Sequence, residues 1–214
     1  MEAPPAADED VSPQDRAPSG AGLAGVILCG GRSSRMGVDK ATIHFEGLTL
    51  LARAVARLDD VCDPVLIASG GTSARMTGRQ AIADAAPNAG PLGGVVAALR
   101  NSPHRLLAVV AVDLPWVDPG LIRMLADLIG DRDVALCETG GGVEPLHAVY
   151  STSILAAAET ALAGPDRSLR RLIATANALR IPERAWRDAG FSERFALNVN
   201  TPEDLAEISR EARR

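Results

Sequence analysis

Aromatic residues are scarce in this chain: two Trp, one Tyr and three Phe stand among 214 residues. Because hydrophobic residues still make up 47% of the sequence, the core must be built mainly from Ala, Val, Leu and Ile. Cysteine is also rare, and Cys29, Cys62 and Cys137 lie far apart. Their odd number and wide spacing fit neither a disulfide framework nor a zinc-ligand set, so we expect small core side chains in a reducing cytoplasm.

An excess of basic residues is absent as well. The net charge is −5, and residues 1–20 contribute −4 of it through five acidic residues and one Arg. The nearly neutral remainder excludes the usual charge pattern of proteins that bind nucleic acid or anionic membranes. The longest apolar run, "LLAVVAV" at 106–112, is far shorter than the roughly 20 residues of a membrane span. We therefore expect a soluble protein with neither partner.

Residues 1–20 differ in composition from the rest. They are rich in Pro, Ala and acidic residues and contain no apolar segment of the kind found in secretory signals. Such a segment buries too little apolar surface to offset the entropy of ordering it. We predict a disordered, non-secretory tail over 1–20 and a single domain over 21–214.

From Leu23 onward, short runs rich in Val, Ile and Leu alternate with helical patterns. The predicted strands include 23–29, 64–69, 80–84, 105–113, 133–138 and 195–200, and helices are expected near 49–59, 92–101, 119–129, 152–163, 168–176 and from 202. This alternation predicts a three-layer, Rossmann-like α/β fold with a mostly parallel central sheet and helices on both faces. Ligands of such folds bind at the carboxyl ends of the strands.

Two common nucleotide-binding motifs do not explain the sequence. A G-x-G-x-x-G pattern occurs at Gly20, Gly22 and Gly25, but it precedes the first strand, whereas a dinucleotide site needs it between a strand and a helix. No G-x-x-x-x-G-K-[ST] sequence is present. Instead, the first strand is followed by "CGGRSSRMGVDK" at 29–40.

This loop combines two glycines with three cations. Gly30 and Gly31 lack side chains and so allow backbone N–H groups to approach an anion, and Arg32, Arg35 and Lys40 add positive charge. The combination indicates a triphosphate ligand. An ordinary solvated connection that carries surface arginines is the alternative.

Asp113 ends the most apolar strand, in "AVVAVDLP". A carboxylate in that place is costly unless it is solvated, paired or bound to a cation, and Mg²⁺ takes one or two carboxylates and completes its shell with phosphates and water. The alternative role, capping the helix that begins near Pro119, suits Asp118 better because Asp118 directly precedes that helix. We favour a magnesium ligand.

Further candidates follow other strands. Asp84 ends a predicted strand, while Gly90, Pro91, Gly93 and Gly94 open a helix whose first turn could receive a base or ribose. A loop carboxylate without a ligand is the alternative for Asp84. Asn198 and Asn200 alternate on the last predicted strand, so we expect both side chains to point into the cleft. For His147 we expect a strand residue with a satisfied hydrogen bond, and for the sequence 201–204 an ordinary helix start.

These residues carry a resemblance to a known family. "LCGGRSSRMGVDK" resembles the signature L-x-G-G-x-S-x-R-M-G-x-D-K of nucleotidyltransferases, and in particular of molybdenum cofactor guanylyltransferases. The segments "GPLGGVVAAL", "VDLPWVDPGLI", "EPLHAVYS" and "NVNTPEDL" follow in the family's order, so the resemblance covers nearly all of 23–210. It implies transfer of GMP from GTP to the terminal phosphate of molybdopterin cofactor with release of pyrophosphate.

The resemblance also implies roles for individual residues. Leu28, Cys29 and Gly30 would supply nucleotide-binding backbone, Arg35 and Lys40 would act on the phosphates, and Asp113 would hold Mg²⁺. Asp84 would bind the guanosine part of GTP. Ser69 follows a strand where the family contacts nucleotide, although the family's asparagine has no counterpart here. Asn198 and Asn200 would lie at the molybdopterin end of the site. Molybdoenzymes or cofactor chaperones are the further partners that the resemblance implies.

Three alternatives stay open at this stage. Cytidylyltransferases of the same fold carry Ala-Ala-Gly where this chain has Cys29-Gly30-Gly31 and lack "GPLGG", which favours guanine. Sugar-phosphate nucleotidyltransferases share the glycine loop and the magnesium aspartate. A non-catalytic nucleotide-binding regulator would keep the fold without turnover, but the presence of Arg35, Lys40 and Asp113 argues against it.

Overall fold

The computed structural model describes residues 22–30, 39–69 and 77–211. The predicted tail over 1–20, Gly31, Arg32 and Arg35 lie outside the described residues. The strands are β1 (Leu23–Leu28), β2 (His44–Phe45), β3 (Leu48–Thr49), β4 (Val65–Ala68), β5 (Ala81–Ile82), β6 (Leu106–Ala111), β7 (Val134–Thr139), β8 (Gly142–Val143), β9 (His147–Ser151) and β10 (Ala178–Ile181). The α-helices are α1 (Leu50–Asp59), α2 (Gly90–Asn101), α3 (Pro119–Leu128), α4 (Leu155–Ala163), α5 (Leu169–Thr175), α6 (Glu183–Asp188) and α7 (Pro202–Glu211).

The central sheet has the strand order β10-β7-β9-β6-β1-β4-β5, with β8 paired to β7. Strands β6, β1, β4 and β5 run parallel to one another, and β7 and β10 form a second parallel pair. Strand β9 lies between β6 and β7 and is antiparallel to both. The predicted mostly parallel sheet is confirmed. Strands β2 and β3 form a separate two-stranded hairpin that leads into α1.

Alternate residues of the buried strands feed two separate cores. In β6, Leu106, Ala108 and Val110 pack on one side of the sheet, and Leu107 and Val109 pack on the other. The first side is covered by α1, α3, α6 and α7, and the second by α2, α4 and α5. Because both sheet faces are covered, the strands need continuous apolar runs, as the sequence has. The three-layer arrangement is therefore also confirmed.

One predicted strand is wrong. Residues 195–200 do not join the sheet: Glu193–Ala196 forms a 3-10 turn that the Ser192 hydroxyl caps by accepting from the Arg194 N–H, and residues 197–200 are irregular. The aromatic ring of Phe195 is buried between Trp186 and His147, with ring centroids 5.3 and 5.1 Å away. This packing fixes the segment on a helical layer instead of on a sheet edge.

In the described parts of the chain, every helix is too short or too polar to cross a lipid bilayer.

Candidate active site

The candidate site lies where three parallel strands end at the same level. Leu28 of β1 is in register with Ala68 of β4 on one side and with Ala111 of β6 on the other. The ladder continues for one more step, because the Cys29 N–H donates to the Ala68 carbonyl (2.8 Å) and the Val112 N–H donates to the Leu28 carbonyl (3.1 Å). The residues that follow these strands are therefore brought together at one edge of the sheet, as the sequence predicts.

A cleft opens at this edge. It is lined by Leu28, Cys29, Gly30, Asp39, Lys40, Pro91, Ala111, Val112, Asp113 and Leu146. Six of these residues were predicted as site residues: Leu28, Cys29, Gly30, Lys40, Pro91 and Asp113. The cleft thus joins the end of the first loop, the first turn of α2 and the end of β6.

Lys40 brings a positive charge to the lining of this cleft. Its Nζ lies 2.7 Å from Oδ2 of Asp113 and 2.8 Å from Oδ1 of Asn200. The Lys40 and Asp113 side chains are 18% and 20% exposed, so the pair is sheltered yet reachable by a ligand. The three residues are far apart in sequence, and the fold holds them as one group.

Local structure fixes the position of Lys40. A short 3-10 turn over Lys40–Thr42 begins directly after the glycine loop, and the Asp39 carboxylate caps it by accepting from the Ala41 N–H at 3.0 Å. Ala41 is fully buried, which anchors the turn in the core. The Asp-Lys pair of the sequence motif is thus a cap followed by an ammonium group.

Asp84 lies next to Gly30 at the end of β1 and Gly94 in α2. A Cβ placed on Gly30 would lie 3.6 Å from Oδ2 of Asp84, and one placed on Gly94 would lie 3.5 Å from Oδ1 of Asp84 and 2.9 Å from the Leu28 side chain. The two glycines therefore leave space around this carboxylate. Burial raises the pKa of Asp84 above its ordinary value of 3.8, and no described residue donates a hydrogen bond to it.

The remaining predicted site residues are not all in the cleft. Ser69 is buried at the end of β4, where its N–H donates to the Ile82 carbonyl at 3.2 Å. Gly90 begins α2 next to Pro91. Asn198 and Asn200 do not point together from a strand: Asn200 contacts Lys40, whereas the Asn198 amide donates back to the Ala196 carbonyl at 3.4 Å. The expectation that both enter the cleft fails because the segment is not a strand.

Burial decides the protonation state of the His147 and Cys29 side chains. The His147 Nε2 accepts from the Asp118 N–H at 3.1 Å, as expected for a hydrogen-bonded strand histidine, but its buried Nδ1 has no partner among the described residues. Burial lowers the pKa of His147 to about 4 and raises the pKa of the Cys29 thiol to about 12. Both side chains are therefore neutral near pH 7. Asp118 caps α3 by accepting from the Leu121 N–H, which confirms that Asp113 is not the cap.

The sequence reasoning assigned no role to Glu144. Its Oε1 accepts from the N–H of Leu146, a cleft residue, at 2.8 Å. Burial raises the pKa of Glu144, and the nearby charge of Asp113 raises it further. In the sequence, "EPL" belongs to a segment that carries the family resemblance, but a glutamate before a strand gives no chemical signal of its own.

Parallel strands that deliver a glycine loop, a lysine and an aspartate to one cleft are the arrangement of a nucleotidyltransferase, and this chain is one. A model of the MobA-like NTP transferase domain matches residues 25–181. The chain belongs to this family, and curated relatives that match most of its length include proteins described as molybdenum cofactor guanylyltransferases or probable ones.

Two of these relatives illustrate the extent of the match. The probable molybdenum cofactor guanylyltransferase of Chloroflexus aggregans is 33% identical over 190 residues, which cover 86% of this chain and 91% of that protein. The protein of the same description from Opitutus terrae is 35% identical over 195 residues, covering 85% and 92%.

Solved structures show the same fold. The molybdopterin-guanine dinucleotide biosynthesis protein A from Archaeoglobus fulgidus has a TM-score of 0.78 at 21% identity, covering 89% of this chain and 98% of that one. The 2-C-methyl-D-erythritol 4-phosphate cytidylyltransferase from Thermus thermophilus has a TM-score of 0.61 at 18% identity, covering 88% and 98%. The two neighbours have different names but one architecture, so the likeness shows the fold and not the substrates.

Proposed function

We propose that this chain transfers GMP from GTP to the terminal phosphate of molybdopterin cofactor. An oxygen of that phosphate forms a bond to the α-phosphorus of GTP, the bond from the α-phosphorus to the bridging oxygen breaks, and pyrophosphate leaves. The names of the full-length relatives support the two substrates. The observation that carries the proposal is the Lys40–Asp113 pair at the strand ends beside the glycine loop.

Lys40 is proposed to neutralise the phosphates. An ammonium group has three donors, and two of them are engaged by Asp113 and Asn200. No other described residue accepts from the third, which can reach a phosphate oxygen without breaking either contact. Because the ammonium is already held by its neighbours, little reorganisation is needed when charge shifts from the α-phosphate to the departing pyrophosphate. Arg35, which lies outside the described residues, is proposed to add a second positive charge.

Asp113 is proposed to hold Mg²⁺. Among the described residues, the one hydrogen bond to this carboxylate goes to Oδ2, which leaves Oδ1 for a cation. The described residues contain no cluster of three His, Cys, Asp or Glu that could hold a metal ion. A site with one carboxylate suits Mg²⁺, which completes its shell with phosphate oxygens and water. When bound, the ion would withdraw charge from the phosphates.

Asp84 is proposed to bind the nucleoside. An ionised carboxylate only accepts hydrogen bonds, and that of Asp84 has space around it and no described donor. It therefore suits a ligand rich in N–H or O–H donors, such as guanine or ribose. The first turn of α2, with Gly90 and Pro91, and the buried Ser69 at the end of β4 border the same region.

Pyrophosphate release tests the proposal. The purified full chain is given molybdopterin cofactor, Mg²⁺ and one of GTP, CTP, ATP or UTP, with a matched reaction that lacks the acceptor. Release with GTP that requires the acceptor is expected. Release with CTP in place of GTP would make the chain a cytidylyltransferase, and release with none of the four would leave only nucleotide binding.

A further inference from the structure

Asp204 makes one hydrogen bond more than its helix requires. Its Oδ2 accepts from the Thr201 N–H at 2.9 Å, and the Thr201 hydroxyl accepts from the Asp204 N–H at 3.1 Å. These two bonds form an ordinary capping box at the start of α7. The same Oδ2 also accepts from the Asn200 N–H at 2.8 Å, a residue that precedes the cap and plays no part in the helix.

That additional bond ends next to the Lys40 ammonium. The side chain of Asn200 accepts from Lys40 Nζ at 2.8 Å, and Lys40 Nζ lies 2.7 Å from Asp113. The neighbouring Val199 N–H donates to the Asp113 carbonyl at 2.9 Å. The irregular segment 198–200 is thus fixed to the end of β6 by Val199, to α7 by Asp204, and to the lysine by Asn200.

This segment needs such fixing, because it belongs to neither a helix nor a strand and Asn200 is exposed. A carboxylate that accepts from two successive backbone N–H groups holds the direction of the chain between them. Hydrogen bonds from the Asn200 and Thr201 N–H groups lower the pKa of Asp204. The acceptor is therefore ionised throughout the neutral range, and its bonds are charge-assisted.

We propose that Asp204 is a positioning residue for the transfer reaction: it fixes the Asn200 backbone so that the Asn200 side chain holds the Lys40 ammonium beside Asp113. The inference rests on the proposed role of Lys40 at the phosphates. It changes the expectation for Asn200, whose side chain serves the lysine in the ligand-free protein. Among the described residues Asp204 makes no hydrogen bond to Lys40, although the charge of Lys40 also lowers the pKa of Asp204.

Thr201 provides a matched control. Both Asp204→Ala and Thr201→Ala remove one side chain of the capping box. Both should therefore destabilise the start of α7 and lower the melting temperature. Only Asp204→Ala releases the Asn200 N–H. We expect Asp204→Ala to lower kcat about tenfold, because the ammonium is no longer held in place, with KM for GTP changed by less than about twofold. Thr201→Ala should keep kcat within about twofold of the wild type.

Two more variants separate positioning from general loss of structure. Asp204→Asn keeps an oxygen that can accept from the same N–H groups, so it should recover most of the lost kcat. In an Asn200→Ala background, Asp204→Ala should cause no further loss, because the two residues act through one contact. Full additivity of the two losses would overturn the proposal.

A measurement without substrate decides the matter if the wild type releases no pyrophosphate from any nucleotide. In nitrogen-15 NMR, an ammonium held by two acceptors should give a slowly exchanging cross-peak, which Lys40→Arg identifies by its loss. We expect this cross-peak to persist in Thr201→Ala and to broaden or vanish in Asp204→Ala. An unchanged Lys40 cross-peak in folded Asp204→Ala, or equal kcat in the two alanine variants, would contradict the role of Asp204.

Discussion

Asp113 and Asp84 both follow parallel strands at the same edge of the sheet, but their surroundings differ. Asp113 is paired with Lys40 at 2.7 Å, and Asn200 holds the same ammonium from a distant part of the chain. Asp84 lies in a space left by Gly30 and Gly94, and only burial acts on its pKa. On one side of the cleft, protein side chains already pair with one another, whereas on the other side no described residue donates a hydrogen bond to the Asp84 carboxylate.

This difference suits the two sides of the cleft to different roles in the proposed reaction. A group that is held before substrate arrives is suited to stabilise charge that changes during the reaction, because it needs no rearrangement at that moment. A partly desolvated carboxylate without a donor is suited to bind a group that stays the same throughout, because its gain comes from the ground state. The first description fits the phosphate side and the second fits the nucleoside side.

Asp113→Asn should give the largest effect. We expect it to abolish turnover, by about a thousandfold or more, because it removes the proposed magnesium charge at nearly constant volume. Circular dichroism should show an unchanged fold, since Asn keeps an oxygen that can accept a hydrogen bond from Lys40 at nearly constant volume. A folded variant with near wild-type pyrophosphate release would remove Asp113 from the mechanism.

Lys40→Ala should come next and should affect rate more than affinity. Loss of a charge-assisted contact that strengthens in the transition state costs a few kcal/mol in kcat, roughly a hundredfold. Titration of GTP at saturating acceptor separates kcat from KM, and Lys40→Arg shows whether positive charge alone suffices. If only KM rose, the triphosphate would not face this side of the cleft.

Asp84→Ala should show the reverse pattern. Removal of a carboxylate that accepts hydrogen bonds from the nucleoside should weaken GTP binding by roughly 1 to 3 kcal/mol and leave kcat at saturation nearly unchanged. Calorimetric titration with GTP measures this affinity directly. A fall in kcat without a change in binding would place Asp84 on the phosphate side and end the division proposed above.

Asp84→Asn should give the smallest effect. Unlike the variants above, which lose activity or affinity, it should make the ligand-free protein more stable. Burial raises the pKa of Asp84 above 3.8, so ionisation is harder in the folded state, and stability is lost as pH rises from 3.8 through the raised pKa. The neutral Asn avoids this loss. We expect the free energy of unfolding to increase by less than about 1 kcal/mol at pH 7, and we expect this gain to disappear below pH 3.8. A lower melting temperature at pH 7 would mean that Asp84 already has a stabilising partner.

Much of this arrangement can be predicted from the sequence. Continuous apolar runs such as 106–112 identify buried parallel strands, and parallel strands place their last residues at one edge. That reasoning correctly brings Leu28 and Asp113 together. Lys40, which ends the loop after β1, lines the same cleft. Asp118 at the start of α3 follows simple capping rules, and the structure confirms it.

The C-terminal segment is less predictable for a physical reason. The alternation of "FALNVN" is the same as that of a strand, but the burial of Phe195 against Trp186 fixes a 3-10 turn instead. The sequence 201–204 was correctly expected to begin a helix, yet no local rule indicates that Asp204 also accepts from Asn200. Such contacts depend on tertiary packing between residues as far apart as Lys40 and Asn200.

The most direct test of the proposed reaction follows the two ends of the GTP triphosphate separately. GTP labelled at the α-phosphate or at the γ-phosphate is incubated with molybdopterin cofactor and Mg²⁺, and the products are separated. Nucleotidyl transfer requires the α-label to enter the cofactor product and the γ-label to leave in pyrophosphate, with neither occurring in Asp113→Asn. Transfer of the γ-label to the acceptor, or release of labelled GMP without any acceptor, would contradict the reaction proposed for this cleft.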